Sequence, residues 1–211
     1  MDKKYAYVGV AFIILIFGMY TVRNLSANFK DIPLVQIKET PIPSFQFTNQ
    51  DGVLMSSDYY KGKVYVVEFF FTTCTTICPK MNVNMVKIQN EFYSRIDFGI
   101  ASFSINPKHD SPEILKAYAK EKGANSKRWH FFTGDQDAIY DLATNGFTLY
   151  VGENDQVLDG FEHSGSFALI DKNGFIRSRK DNFGNPIGFY DGLTEAGIKM
   201  IIEDITILLK E

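Results

Sequence analysis

Apolar positions in this chain fall into short runs whose period switches between two and about 3.6, and that switching predicts the order of elements. Phe45, Phe47 and Val53-Leu54-Met55 flank Asn49-Gln50-Asp51-Gly52, an N-terminal β-hairpin with Asp-Gly at its turn. Val64–Phe71 is a near-continuous apolar and β-branched run, as in a strand covered on both faces. Met81, Met85, Ile88 and Phe92 then recur at the spacing of one helix face. Phe98–Ile105 reads as a second buried strand. Ser111-Pro112 supplies an N-cap and first-turn proline for a helix ending near Gly123. Trp129–Phe132 predicts a short strand, Gln136–Thr144 a helix and Phe147–Val151 another short strand. Ser166–Ile170 and Phe175–Arg179 form a hairpin across Asp171-Lys172-Asn173-Gly174, and Thr194 caps a last helix carrying Ile198, Ile201, Ile202, Ile205 and Leu208-Leu209. Strands alternating with helices and closing on a hairpin and a helix describe a three-layer α/β domain with a mixed central sheet over residues 41–211.

The N-terminus follows a different pattern. Tyr5–Val22 is an uncharged, mostly apolar run of 18 residues, near the lower limit for a spanning helix. Lys3 and Lys4 precede it, and Tyr5, Tyr7 and Tyr20 stand where interfacial aromatics lie. A cleavable signal is disfavoured, because the site after Ala27 has Leu25 in place of a small residue. The expectation is a retained single-pass anchor over residues 1–22, a polar tether over 23–40, and a folded domain outside the cytoplasm, on the periplasmic side of an inner membrane. The net charge of −3 conceals an asymmetry, since Lys3, Lys4, Arg23 and Lys30 oppose Asp2 alone in the first 30 residues. The remainder is acidic, which argues against nucleic acid as a partner.

The only two cysteines, Cys74 and Cys78, follow the Val64–Phe71 strand and precede the first long helix. In an oxidising compartment two thiols pair or are held reduced by a metal or a reductase. Cys78 stands at the helix start, where free N–H groups and the helix dipole are expected to lower its pKa. A structural disulfide across so short a loop contributes little entropic stabilisation. A peroxiredoxin is excluded, because Phe71 occupies the position where that pattern needs a proline. A thiol–disulfide oxidoreductase with Cys74 and Cys78 as redox thiols stays open, although His163-Ser164-Gly165 stands where such a site has a proline. Of the three histidines, His130 reads as a packed strand residue and His109 as a solvated loop residue. His163 precedes the Ser166–Ile170 strand. Two cysteines and a histidine make a soft three-donor set suited to copper, or to Zn²⁺ with one open position. The spacing of Met81 and Met85 fits burial better than ligation.

Phe71-Thr-Thr-Cys-Thr-Thr-Ile-Cys-Pro79 resembles the F-T-x-C-x-x-x-C-P signature of the Sco/SenC family of membrane-anchored, thioredoxin-fold copper proteins. Pro43-Ser44-Phe45, the run from Ser104 to Tyr118, and Glu162-His163-Ser164 before a strand ending Ile170-Asp171-Lys172-Asn173-Gly174 match in order. Asn106 and Glu162 depart from the family's usual aspartates. The resemblance implies a thioredoxin-like fold, copper held by Cys74, Cys78 and His163, and delivery to the copper-bearing subunit of cytochrome c oxidase or another cuproprotein. The oxidising compartment makes a thiol reductase a further expected partner.

Overall fold

The computed structural model describes residues 12–21, 34–154, 156 and 159–211. It divides into two compact units, Met1–Pro33 and Leu34–Glu211. Within the first, residues 12–21 are helical, with apolar side chains such as Phe12, Ile13, Ile14, Phe17 and Met19 exposed. The rest of the expected anchor and most of the tether lie outside the described residues. No helix among the described residues is long and apolar enough to cross a membrane.

The second unit is built on a mixed sheet of nine strands. Its main order is β1 (Val35–Gln36), β10 (Ile176–Ser178), β9 (Ser166–Ile170), β4 (Val64–Phe70), β5 (Phe98–Ser104), β6 (Trp129–Thr133), β2 (Gln46–Asn49) and β3 (Leu54–Ser56). A short β11 (Tyr190–Asp191) pairs with β9. The helices are α1 (Cys78–Glu91), α2 (Pro112–Lys122), α3 (Gln136–Asp141) and α4 (Glu195–Leu208). Local chemistry explains their limits. Ser111, Asp135 and Thr194 each cap a helix through the side-chain oxygen. Gly123 ends α2 in the left-handed region at φ +78°, which costs glycine nothing. Asn49 folds the β2–β3 turn by accepting the N–H groups of Asp51 and Val53.

β4, β5 and β6 are parallel, and successive side chains alternate between the two faces of the sheet. Phe70 stacks on Tyr118 of α2 and meets Phe131 edge-on. On the opposite face Phe69 and Phe132 stack on Phe103, and Phe45 and Phe147 pack against them. Helix α1 contacts both α2 and α4. Right-handed crossovers between neighbouring parallel strands put α1 and α2 on the same face. His130, at the edge of this core, is buried beside Tyr59 with neither ring nitrogen hydrogen-bonded.

Three details differ from the sequence expectation. Val35–Gln36, read as tether, pairs with β10, because a strand of two residues carries no period. α3 continues as a π-helical turn, Leu142–Gly146, and Phe147–Tyr150 is not a strand; Thr148 there has φ +58°. Instead β7 (Val151–Glu153) pairs with β8 (Phe161–His163) as a separate two-stranded sheet.

This topology fixes the site. β9 runs antiparallel to β4 with Val67 opposite Ala168, so the start of β9 lies beside the carboxyl end of β4. The chain leaves β4 toward β5 on one side and returns as β9 on the other. In open α/β sheets that reversal point, outside the carboxyl ends of the strands, is where ligands bind.

Candidate metal centre

The loop leaving β4 is held by a carboxylate from the loop after β5. Asp110, fully buried, accepts the Thr72 N–H at 3.0 Å, the Ser104 hydroxyl at 2.5 Å and the Thr72 hydroxyl. His109 lies against the same carboxylate, Nδ1 at 2.8 Å from Oδ1. His109 is therefore tied into the base of the thiol loop, although half-exposed, where the sequence suggested a freely solvated residue.

Helix α1 starts at Cys78 without a side-chain oxygen cap. Its first N–H, that of Cys78, donates to Cys74 Sγ at 3.3 Å, so the sulfur stands in for the missing cap. The following residue, Pro79, has no N–H to satisfy. Cys74 Sγ also lies 3.6 Å from the Thr76 hydroxyl. Cys78 is completely buried and Cys74 is 7% exposed; both are free thiols. Donation by the Cys78 thiol, aided by His163, the Cys78 N–H and Thr76, holds Cys74 well below the ordinary thiol range against its burial. Keeping that proton and burial together push Cys78 above it. This reverses the sequence expectation, which gave Cys78 the lowered pKa. The helix terminus acts on the sulfur that its N–H group reaches, and that sulfur is Cys74. Iodoacetamide on the reduced, metal-free protein is accordingly expected to label Cys74 well before Cys78, read by mass mapping; equal labelling would contradict the assignment.

His163 closes the group from 85 residues away, with Nε2 3.2 Å from Cys78 Sγ. Its Nδ1 lies 3.2 Å from the Ser164 carbonyl, which can only accept, so Nδ1 carries a hydrogen and Nε2 is the nitrogen that faces the sulfurs. Phe71 meets the imidazole edge-on, with ring centroids 5.6 Å apart. The donor atoms of Cys74, Cys78 and His163 all lie within 4.8 Å of one another. Two cysteine sulfurs and an imidazole nitrogen at that separation suit a soft ion. The other histidines stay apart: His130 is in the core, and burial lowers its pKa to about 4.

Behind the sulfurs lies Glu68, fully buried on β4. Its Oε1 accepts the Ser102 hydroxyl at 2.6 Å, and Ser102 in turn accepts the Trp129 indole N–H at 2.9 Å; Oε2 has no partner. Burial raises its carboxyl to about 7 against the opposing pull of Ser102 and His163. Sequence reading missed Glu68, Asp110 and Asp159. The signal for the first was a charge within an apolar strand. Asp110 stood within a quoted motif but without a role, and Asp159 had no local signal.

Comparison with known proteins shows what the chain is similar to. The SCO1/SenC family model matches residues 36–196. The SCO1 protein homolog of Bacillus subtilis is 34% identical over 169 residues, covering 78% of this chain and 80% of the relative. A SCO1/SenC family lipoprotein from Bacillus anthracis superposes with TM-score 0.70 at 33% identity, covering 80% of this chain and 95% of that one. BsSco, described as a member of the Sco family of cytochrome c oxidase assembly proteins with a disulfide switch, superposes with TM-score 0.66 at 32% identity over 82% of this chain and 96% of its own. At 18% identity, Bradyrhizobium japonicum ScoI, solved with copper bound, shares the fold with TM-score 0.62 over 80% of this chain and 99% of its own. The family model covers most of the chain, the Bacillus relatives share its fold at a third of identical residues, and this thioredoxin-like α/β chain belongs to the SCO1/SenC family.

Proposed function

We propose that this protein is a membrane-tethered, extracytoplasmic copper chaperone that holds copper through Cys74, Cys78 and His163. The observation that carries this reading is the convergence of two sulfurs and one oriented imidazole nitrogen within 4.8 Å. Soft thiolates favour copper, and the Nδ1 contact to Ser164 fixes the tautomer that a metal requires. Copper here is cargo, and the recipient is the copper-bearing subunit of cytochrome c oxidase or another cuproprotein; the description of BsSco as an oxidase assembly protein supports that choice. Residues 1–22 serve as the anchor, and the segment from 23 up to the folded unit that starts at Leu34 serves as the tether. The exposed apolar helix of residues 12–21 and the lipoprotein relative support attachment to the membrane.

Copper titration of the reduced protein tests the reading. One ion per chain is expected, weakened about tenfold to hundredfold by His163→Ala and abolished by Cys78→Ser. Unchanged 1:1 binding in either variant would remove that residue from the donor set.

The low-pKa Cys74 beside buried Cys78, with the disulfide switch of BsSco, favours a second role as a thiol–disulfide oxidoreductase. That role keeps the partner's copper-ligand cysteines reduced, with a thiol reductase regenerating Cys74 and Cys78. Turnover with a disulfide substrate in the absence of copper distinguishes it. Oxidation consumes both thiolates, so the disulfide form is expected to hold no copper.

A further inference from the structure

The β7–β8 hairpin touches the thiol loop at a second point besides His163. Asp159 accepts the Thr75 N–H at 3.0 Å, the Thr75 hydroxyl at 2.6 Å and the Thr76 hydroxyl at 3.2 Å. Both threonines lie between the two cysteines. A carboxylate that takes an N–H on one oxygen and a hydroxyl on the other fixes orientation as well as distance. The hairpin needs such a tie. It forms its own two-stranded sheet, so no ladder of backbone hydrogen bonds joins it to the main sheet. Among the described residues, its other polar ties to the body pass through Glu153, to Lys108 at 3.2 Å and Gln136 at 3.0 Å, and both are exposed. Among the described residues, the His163 ring is held by Ser164, by the two cysteine sulfurs and by the edge of Phe71.

We propose that Asp159 is a positioning residue that latches the His163-bearing hairpin onto the thiol loop and sets how readily the imidazole swings away from the sulfurs. The latch belongs to the metal-free protein; only its consequence, a controlled rate of copper release, rests on the copper reading. Because its partners are the residues that separate the two sulfurs, a change of loop shape at Cys74 or Cys78 is transmitted to the hairpin through Thr75 and Thr76. The histidine is thereby coupled to the state of the sulfurs through the loop as well as through its own contact with them.

The test uses the full chain, first reduced and metal-free. In Asp159→Ala, backbone exchange at the Thr75 amide should quicken about tenfold, as expected for loss of a charge-assisted hydrogen bond. Asp159→Asn keeps one acceptor oxygen and should show a smaller increase. Glu162→Gln is the control, since the Glu162 carboxylate bonds Asn154 within the hairpin and not the loop. In the copper-loaded protein, Asp159→Ala should speed transfer to a competing chelator about tenfold while stoichiometry stays at one. Wild-type Thr75 exchange in a folded Asp159→Ala protein would overturn the latch. Faster Thr75 exchange with unchanged copper release would overturn the positioning role. Faster exchange in a chain whose wild type holds no copper would leave the latch standing and remove the copper reading.

Discussion

Asp110→Ala is expected to destabilise the reduced protein by about 3 kcal/mol, the cost of stranding several buried donors at once. The Thr72 N–H, the Thr72 hydroxyl and the Ser104 hydroxyl all end on this one carboxylate. None has another partner of comparable geometry, and alanine leaves a void in place of the acceptor. Asparagine is no rescue, because its amide group would point hydrogens at donors. The loss should fall on the loop that carries Cys74, since Thr72 is its second residue after β4. Guanidinium unfolding measures the total. A double-mutant cycle with Thr72→Val separates the side-chain share, and the two substitutions should be clearly non-additive. An Asp110→Ala protein within 1 kcal/mol of wild type, a threshold set by the ordinary worth of one hydrogen bond, would mean that the loop is held by something else.

Glu68→Gln should have a comparable effect of opposite sign that grows with pH. The Glu68 carboxyl titrates near 7 when folded, against 4.5 for an unhindered one. A raised acid favours the protonated folded state, so its stability is fully present below pH 4.5 and is lost as pH rises through 7. Glutamine keeps the shape and the hydrogen bond from Ser102 without the ionisation. The variant should therefore exceed wild type by about 3 kcal/mol at pH 8 but by only about 1 kcal/mol at pH 5. Denaturation midpoints at the two pH values decide it, and an increment independent of pH would show that Glu68 does not ionise in this range. The ionised carboxylate also opposes a negative charge on Cys78, so the variant bears on the sulfurs as well.

Legibility in the sequence followed the length and chemistry of each element. β4 and α1 were readable because seven buried strand positions and a regular helical spacing leave little ambiguity. The Ser111, Gly123 and Thr194 boundaries were readable because caps are local chemistry. β7, β8 and β11, at two or three residues each, are too short to show a period, and they owe their strand form to partners far along the chain. The motif placed His163 near the thiols, but no spacing could tell which sulfur receives the Cys78 N–H. That depended on the path of the loop from Cys74 back over the helix end. Asp159 was invisible for a similar reason: its partners Thr75 and Thr76 are 84 and 83 residues earlier.

The antiparallel docking of β9 beside β4 also has a consequence for the order in which the molecule matures. The β4 loop and α1 are adjacent in sequence, so the dithiol can form with local structure alone. The imidazole arrives only when a strand about a hundred residues downstream closes the sheet, a non-local step that is slow in folding. A chain caught before that closure is a bare dithiol, open to oxidation or to a mismatched ion. Once β9 is seated, the end of β8 just ahead of it brings His163 up as a third donor, and any ion bound there then resists reopening of the β4–β9 seam by mass action.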